Sequence, residues 1–123
     1  MLYKTTLRAN PMDRSQKKFY AAPTYTEDIN LNKVAQDISN TCTLTPADIS
    51  AVLDSFLEVL PGYLEDGHSV KMGDFGRFRL SFRSVGHENE EEVSANDIGA
   101  ARILFVPSTR LKEKLKSIRY SKR

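Results

Sequence analysis

One cysteine, Cys42, is all that the 123-residue chain holds. No internal disulfide can form, and with no histidine nearby nothing activates the thiol as a nucleophile. Cys42 therefore reads as a small buried or half-buried side chain. No run of 18 apolar residues occurs, and the opening Met1-Leu2-Tyr3-Lys4-Thr5-Thr6 lacks the apolar core of a secretory signal. Neither a membrane span nor export is expected, and cytoplasm is the default. Internal repeats and low-complexity tracts are missing too. No paired carboxylates, activated serine or phosphate-binding loop can be assembled, which leaves no nucleophile with a base and no catalytic residue to name. Asp74-Phe75-Gly76 matches a kinase metal-binding tripeptide, but the chain is far too short for that fold and has no glycine-rich loop. His87 and the glutamates after it lack the fixed spacing of a metal site. The expectation is a protein that is not an enzyme, with no cofactor, no metal and no small-molecule substrate.

What the chain does have is charge sorted into blocks. The formal net charge is only +2, yet residues 1–26 carry five basic and one acidic side chain, and 27–66 one basic and eight acidic. Residues 67–85 then hold four basic and one acidic. Residues 86–98 hold Glu88, Glu90, Glu91, Glu92 and Asp97 with no Lys or Arg, and 99–123 hold eight basic residues against Glu113 alone. A single block is usually a solvated face; two basic blocks on adjoining elements point toward a polyanion partner.

Local patterns give the elements. Leu2 to Leu7 and Phe19 to Thr26 read as extended runs around the turn residues Asn10 to Ser15, so residues 1–26 form an N-terminal extension, a β-hairpin. Residues 27–123 form the domain proper. Leu31, Val34, Ala35 and Ile38 step by three and four, which predicts a short helix from Asn30 to near Asn40. Thr45-Pro46-Ala47-Asp48 is a helix start: a capping hydroxyl, proline at the first helical position and a carboxylate that bonds back to the cap. From Ile49 to Leu64 the apolar residues occupy an arc of roughly 160°. That is wider than one short helix can cover, and part of it is expected to meet a second copy of the chain. Pro61 interrupts the pattern and is expected to kink or loosen the last turn before Gly67.

Past Gly67 the period changes to two. Val70 and Met72, then Phe78, Leu80 and Phe82, alternate with Arg77, Arg79, Ser81 and Arg83, one face apolar and the other cationic. Residues 86–97 read as a loop, an arm or a short helix capped by Ser94. A returning strand, Ala101 to Val106, carries Arg102. Pro107-Ser108 then introduces a final helix with Lys112, Lys116 and Arg119 on one exposed side.

From Leu44 to Phe78 this succession resembles the HU and integration host factor family of bacterial DNA-binding proteins. Leu44-Thr45-Pro46-Ala47-Asp48 looks like the start of that family's second helix. Gly67-His68-Ser69-Val70-Lys71-Met72 looks like its turn and first strand, and Phe75-Gly76-Arg77-Phe78 like the opening of its signature strand. Phe105-Val106-Pro107-Ser108 and Leu111-Lys112 look like the last strand and final helix, so the likeness covers roughly Asn30 to Ile118. It implies an α+β fold of two N-terminal helices, a β-ribbon with an arm and a C-terminal helix, as an intertwined homodimer whose arms grip the minor groove. It also places Arg83 at an arm arginine and Lys112 at a lysine of the final helix. Ser81 and Thr109 stand where basic residues are usual, and Gly73-Asp74 replaces an apolar residue and glycine. The arm tip, Gly86 to Val93, has no Pro, Arg or Lys.

Arg77, Arg79, Arg83, Arg102, Lys112, Lys116 and Arg119 are thus the candidate contacts to double-stranded DNA. The bland alternatives are the solvated side of a half-buried strand for the ribbon arginines and a surface helix face for the rest. Two functions follow: sequence-tolerant DNA binding of a nucleoid-associated, architectural kind, or protein interaction and self-assembly through the acidic arm and leading hairpin on a fold that has lost DNA bending.

Overall fold

In the computed structural model, which describes residues 1–123, the chain first runs out and back on itself as β1 (Leu2–Asn10) and β2 (Asp13–Pro23). The reversal takes only Pro11 and Met12, because the side chains on either side supply the bonds of the turn. Asn10 Oδ1 accepts the Met12 N–H at 2.9 Å, and Asp13 Oδ1 accepts the Ser15 N–H at 3.0 Å. This Asx chemistry replaces the longer turn expected from the sequence and lets polar residues from Asp13 onward join the strand. A third strand, β6 (Ser121–Lys122), lies parallel to β1 on its other edge, pairing Leu2 with Ser121 and Tyr3 with Lys122.

With that pairing the chain divides elsewhere than after residue 26. Residues Lys114–Arg123 group with Met1–Ile29, while Asn30–Glu113 make the second unit. The cause is the open edge of β1. Ser121 N–H donates to the Met1 carbonyl at 3.1 Å and Arg123 N–H to the Tyr3 carbonyl at 2.9 Å, and the Met1 ammonium donates to the Arg119 carbonyl at 2.9 Å.

The second unit opens with α1 (Leu31–Ser39), whose first turn is capped by Asn30, and α2 (Pro46–Glu65), capped by Thr45. Thr45 Oγ1 accepts the Asp48 N–H at 3.2 Å and donates to Asp48 Oδ2 at 2.9 Å. The carboxylate bonds back to the cap, as the sequence implies. Helix α2 continues through Pro61 to Glu65. It then stops in a Schellman motif, with Gly67 at φ 87°, the His68 N–H on the Tyr63 carbonyl and the Gly67 N–H on the Leu64 carbonyl. Cys42, in the link between the helices, is exposed rather than buried.

Ala35, Ile49, Leu60 and Leu64 are the buried apolar side chains of the chain. Much of the wide arc of α2 is open: Val52 is 62% exposed and Val59 and Tyr63 are each 51% exposed. No helix is long and apolar enough to cross a membrane.

Three strands complete the unit in the order β3 (Val70–Met72), β4 (Gly76–Ser81), β5 (Arg102–Pro107), all antiparallel neighbours. The seven-residue helix α3 (Thr109–Leu115) follows. Gly76 fixes the start of β4. Its φ is +154°, and a Cβ there would stand 2.5 Å from the Val106 carbonyl oxygen and 2.7 Å from the Phe105 ring.

Gly76→Ala is therefore expected to lower stability by roughly 1–3 kcal/mol, read as a fall in the urea midpoint at unchanged slope. Gly86→Ala is the control: an added Cβ there meets nothing within 4 Å, and its midpoint should stay within about 0.5 kcal/mol of the parent.

Candidate nucleic-acid interface

Residues directly opposite one another in an antiparallel pair project from the same face. Lys71 pairs with Arg77, Arg77 with Val106, Arg79 with Leu104, and Ser81 with Arg102. One face of the sheet therefore gathers Lys71, Arg77, Arg79 and Arg102. The other carries Val70, Phe78, Leu80, Ile103 and Phe105, and the Phe105 ring lies 5.0 Å from the rings of both Phe75 and Phe78. All four cations are exposed, and none belongs to an ion pair. Exposed cations without internal partners keep their full charge for an external anion. Lys71 is missing from the sequence-derived candidates, although its place two residues before Gly73 in the alternating run Val70-Lys71-Met72 carries the signal.

The turn between β3 and β4 is clasped to the start of α3. The Ser108 N–H donates to the Phe75 carbonyl at 3.0 Å, its hydroxyl donates to the Asp74 carbonyl, and its Oγ accepts the Leu111 N–H at 3.1 Å as the helix cap. Arg110 pairs with the Asp74 carboxylate at 3.1 Å. Asp74 of the kinase-like tripeptide is thus a turn residue. Beside the clasp, Lys71, Arg77 and Thr109 line a shallow depression of about 210 Å³.

The row of cations expected on the final helix is not assembled there. Only Lys112 lies within α3; Lys116 follows its end, and Arg119 sits in the extended stretch whose carbonyl holds the Met1 ammonium. The helix closes with the i−3 bonds of Ser117 and Ile118.

Arg83 lies past the end of β4, where the ribbon becomes irregular. Its carbonyl accepts the Gly99 N–H at 2.8 Å, and Ser84 bridges to Ile98. Beyond this point the long arm implied by the family likeness is replaced by a closed acidic loop. Two short 3₁₀ turns, Glu90–Glu92 and Ala95–Asp97, fold it back. Ser94 and Asp97 form a capping box, with the Ser94 N–H on Asp97 Oδ2 at 2.9 Å. His87 Nε2 lies 3.0 Å from Asp97 Oδ1, and its Nδ1 lies 3.5 Å from Glu92 Oε2. Both ring nitrogens of His87 thus face carboxylates of its own loop. The bond from His87 and then that from the Ser94 N–H hold the Asp97 carboxyl below its ordinary range.

Residues 1–122 match the family described as an HU domain fused to wHTH, Ig or glycine-rich motif. Integration host factor subunit alpha of Actinobacillus succinogenes is 26% identical over 85 residues, 68% of this chain and 87% of that protein. DNA-binding protein HRm of Rhizobium meliloti is 26% identical over 76 residues, 61% of this chain and 84% of that one. Among solved structures, a Bacteroides vulgatus protein described as a candidate bacterial DNA-binding protein superposes with a TM-score of 0.63 at 18% identity over 98% of this chain. The chain spans 47% of that protein's length. The Anabaena HU–DNA cocrystal structure superposes with a TM-score of 0.57 at 19% identity, covering 73% of this chain and 100% of that one.

A carboxyl with a lowered folded pKa stabilises the closed loop above its ordinary pKa, and that stability is lost as pH falls through the folded value. Following the Val85 and Gly99 amide resonances down in pH should thus give an opening transition below the ordinary carboxyl value of 3.8, absent in Asp97→Asn. A transition at or above that value would contradict the His87–Asp97 closure.

Proposed function

Because the chain belongs to the family of HU domains fused to wHTH, Ig or glycine-rich motifs, a family of HU/IHF-like type, we propose that it binds double-stranded DNA as a homodimer. Its role on this reading is that of a nucleoid-associated, architectural protein. The observation that carries the reading is the sheet face of Lys71, Arg77, Arg79 and Arg102, exposed and without carboxylate partners. The names of two relatives and the HU–DNA complex among the structural neighbours point the same way.

Arginine suits this task, since its planar fork meets phosphate oxygens with paired donors and never loses its charge. Each neutralised phosphate releases condensed counterions, so affinity falls steeply with salt and depends little on sequence. Arg83 and Lys112 extend the same surface in the proposal; Lys116 and Arg119 fall in the other unit. The acidic loop takes the place of the arm that the family likeness implies. It has no proline, and its carboxylates repel phosphate, so the duplex is bound without intercalation at that tip.

The dimer is argued from exposed apolar surface. Val52, Val59 and Tyr63 lie along one side of α2, each more than half exposed, and Ile103 on the apolar sheet face is 58% exposed. So much apolar surface on one small unit calls for a cover, and a second copy offers the same surface in return.

Titration of a short duplex at several salt concentrations tests the ribbon. Arg77→Ala, Arg79→Ala and Arg102→Ala together should weaken binding and reduce the slope of log K against log salt by roughly one for each lost phosphate contact. No binding by the parent protein at low salt would refute the function. Equal binding by the variant would refute the surface.

Sedimentation tests the dimer. Val52→Asp with Val59→Asp should shift the protein toward monomer by more than tenfold in dissociation constant, as expected for charge placed in a buried interface. A monomeric parent protein would end the proposal.

A further inference from the structure

The hairpin unit carries its own cationic face, on different elements from the ribbon. In β1 and β2 the opposed pairs are Lys4 with Ala22, Thr6 with Tyr20, and Arg8 with Lys18. Lys4, Arg8, Lys18 and Tyr20 therefore project from one side. The other side presents Leu7, Ala9, Phe19 and Ala21, with Lys17 and Lys122. The unit is amphipathic, and its polar side is basic.

Two features make this more than a solvated strand. Arg8 and Lys18 stand directly opposite each other, an arrangement that costs stability in a sheet unless an anion relieves it. The strands of this sheet supply none: β1 and β6 contain no carboxylate, and that of Asp13 at the turn is taken by the Ser15 N–H and hydroxyl. Neither Arg8, Lys18 nor Lys4 is in an ion pair. Second, the Arg8 guanidinium lies over the Tyr20 ring, 4.7 Å from its centroid. Stacking on an aromatic face holds the guanidinium without consuming its charge, so it is presented already ordered.

We propose that this face of the N-terminal sheet, built on Lys4, Arg8 and Lys18, is a second surface for the phosphate backbone of duplex DNA, separate from the ribbon. The proposal rests on the DNA-binding reading for the identity of its ligand. It differs in assigning part of the affinity to residues 1–29 rather than to the ribbon strands. Charge complementarity selects the occupant: three unpaired cations on an exposed face, one of them ordered by an aromatic ring, match a polyanion.

The test uses the full chain in four forms: parent, ribbon variant (Arg77→Ala, Arg79→Ala, Arg102→Ala), hairpin variant (Lys4→Gln, Arg8→Gln, Lys18→Gln) and the two combined. Glutamine keeps side-chain length, and circular dichroism checks that the sheet survives. An opposite-face variant, Lys17→Gln with Lys122→Gln, controls for net charge. The hairpin variant is expected to reduce the salt slope of duplex binding by about two to three per protomer, the opposite-face control by less than one, and the combined variant to lose binding that each single variant retains. A hairpin variant with the parent's affinity and slope overturns the proposal and leaves the ribbon reading standing. A ribbon variant with the parent's slope beside a weakened hairpin variant does the reverse. If the hairpin variant keeps DNA binding and instead loses a salt-sensitive association between copies in sedimentation, the face meets the acidic loop of another copy and the proposal fails. Parent protein that binds no duplex at low salt removes both readings.

Discussion

The pairing of β4 with β5 sets everything functional in the second unit, and it depends on a close approach that only glycine permits. At Gly76 the backbone of β4 passes so near the Val106 carbonyl and the Phe105 ring that no side chain fits. The register that follows puts Arg77 opposite Val106, Arg79 opposite Leu104 and Ser81 opposite Arg102. Side chains in a strand alternate with period two, so a slip of one residue would turn the arginines onto the apolar side and Phe78 and Leu80 into water. The cost of that slip is paid in apolar burial, and so the cationic face is specified by the packing on its reverse. The clasp of Ser108 onto Asp74 and Phe75 secures the same register from the other end of β5, tying the start of α3 to the turn that precedes Gly76.

Local chemistry made most of these elements legible. The caps at Asn30 and Thr45, the proline at the first position of α2 and the glycine beyond its end each act within a few residues, and the helices begin and end where those residues stand. The alternating run after Gly67 likewise forms β3 and β4. Three features escaped because their causes are not local. Strand β6 is two residues long and exists through bonds between opposite ends of the chain. Helix α3 ends at Leu115, before Lys116 and Arg119. The closed acidic loop depends on His87 meeting Asp97 ten residues later, a contact that composition cannot reveal. Lys71 was hidden for another reason: a single cation in a three-residue strand gains meaning only when its neighbour across the pair, Arg77, is known.

The acidic loop and the basic sheet are adjacent in one unit, and their charges have opposite uses. A ribbon that continued outward with basic side chains would extend the phosphate-contacting surface. Here the strands end at Ser81 and Arg102, and the chain beyond them is folded back by the capping box of Ser94 and the two carboxylates facing His87. Closing the loop brings negative charges together, and that is tolerable because the Ser94 N–H and the imidazole take the Asp97 carboxylate. The loop therefore limits the cationic surface sharply, since phosphates beyond Arg102 would meet Glu90, Glu91 and Glu92. On the proposed reading, charge of this kind would set where a polyanion stops along the sheet, as the arginines would set where it lies.

Burial in the single chain bears on how such a surface is held rigid. Ala35, Ile49, Leu60 and Leu64 are a small core for a unit of this size, and small cores support little stability by themselves. Side chains that contribute to a DNA surface must nevertheless stay in place, or ordering them on binding consumes the affinity they supply. The exposed arc of α2 and the apolar reverse of the ribbon resolve this tension if they are buried against a second copy. Association would then complete the core beneath the strands that carry the arginines, so folding, dimer formation and the readiness of the cationic face rise and fall together. The hairpin unit is held differently, by backbone pairing of three strands and by the bond from the Met1 ammonium to Arg119. Its cations stand on a sheet paired within one chain, so on the proposed reading their presentation to phosphate would not depend on whether the α2 arc is covered.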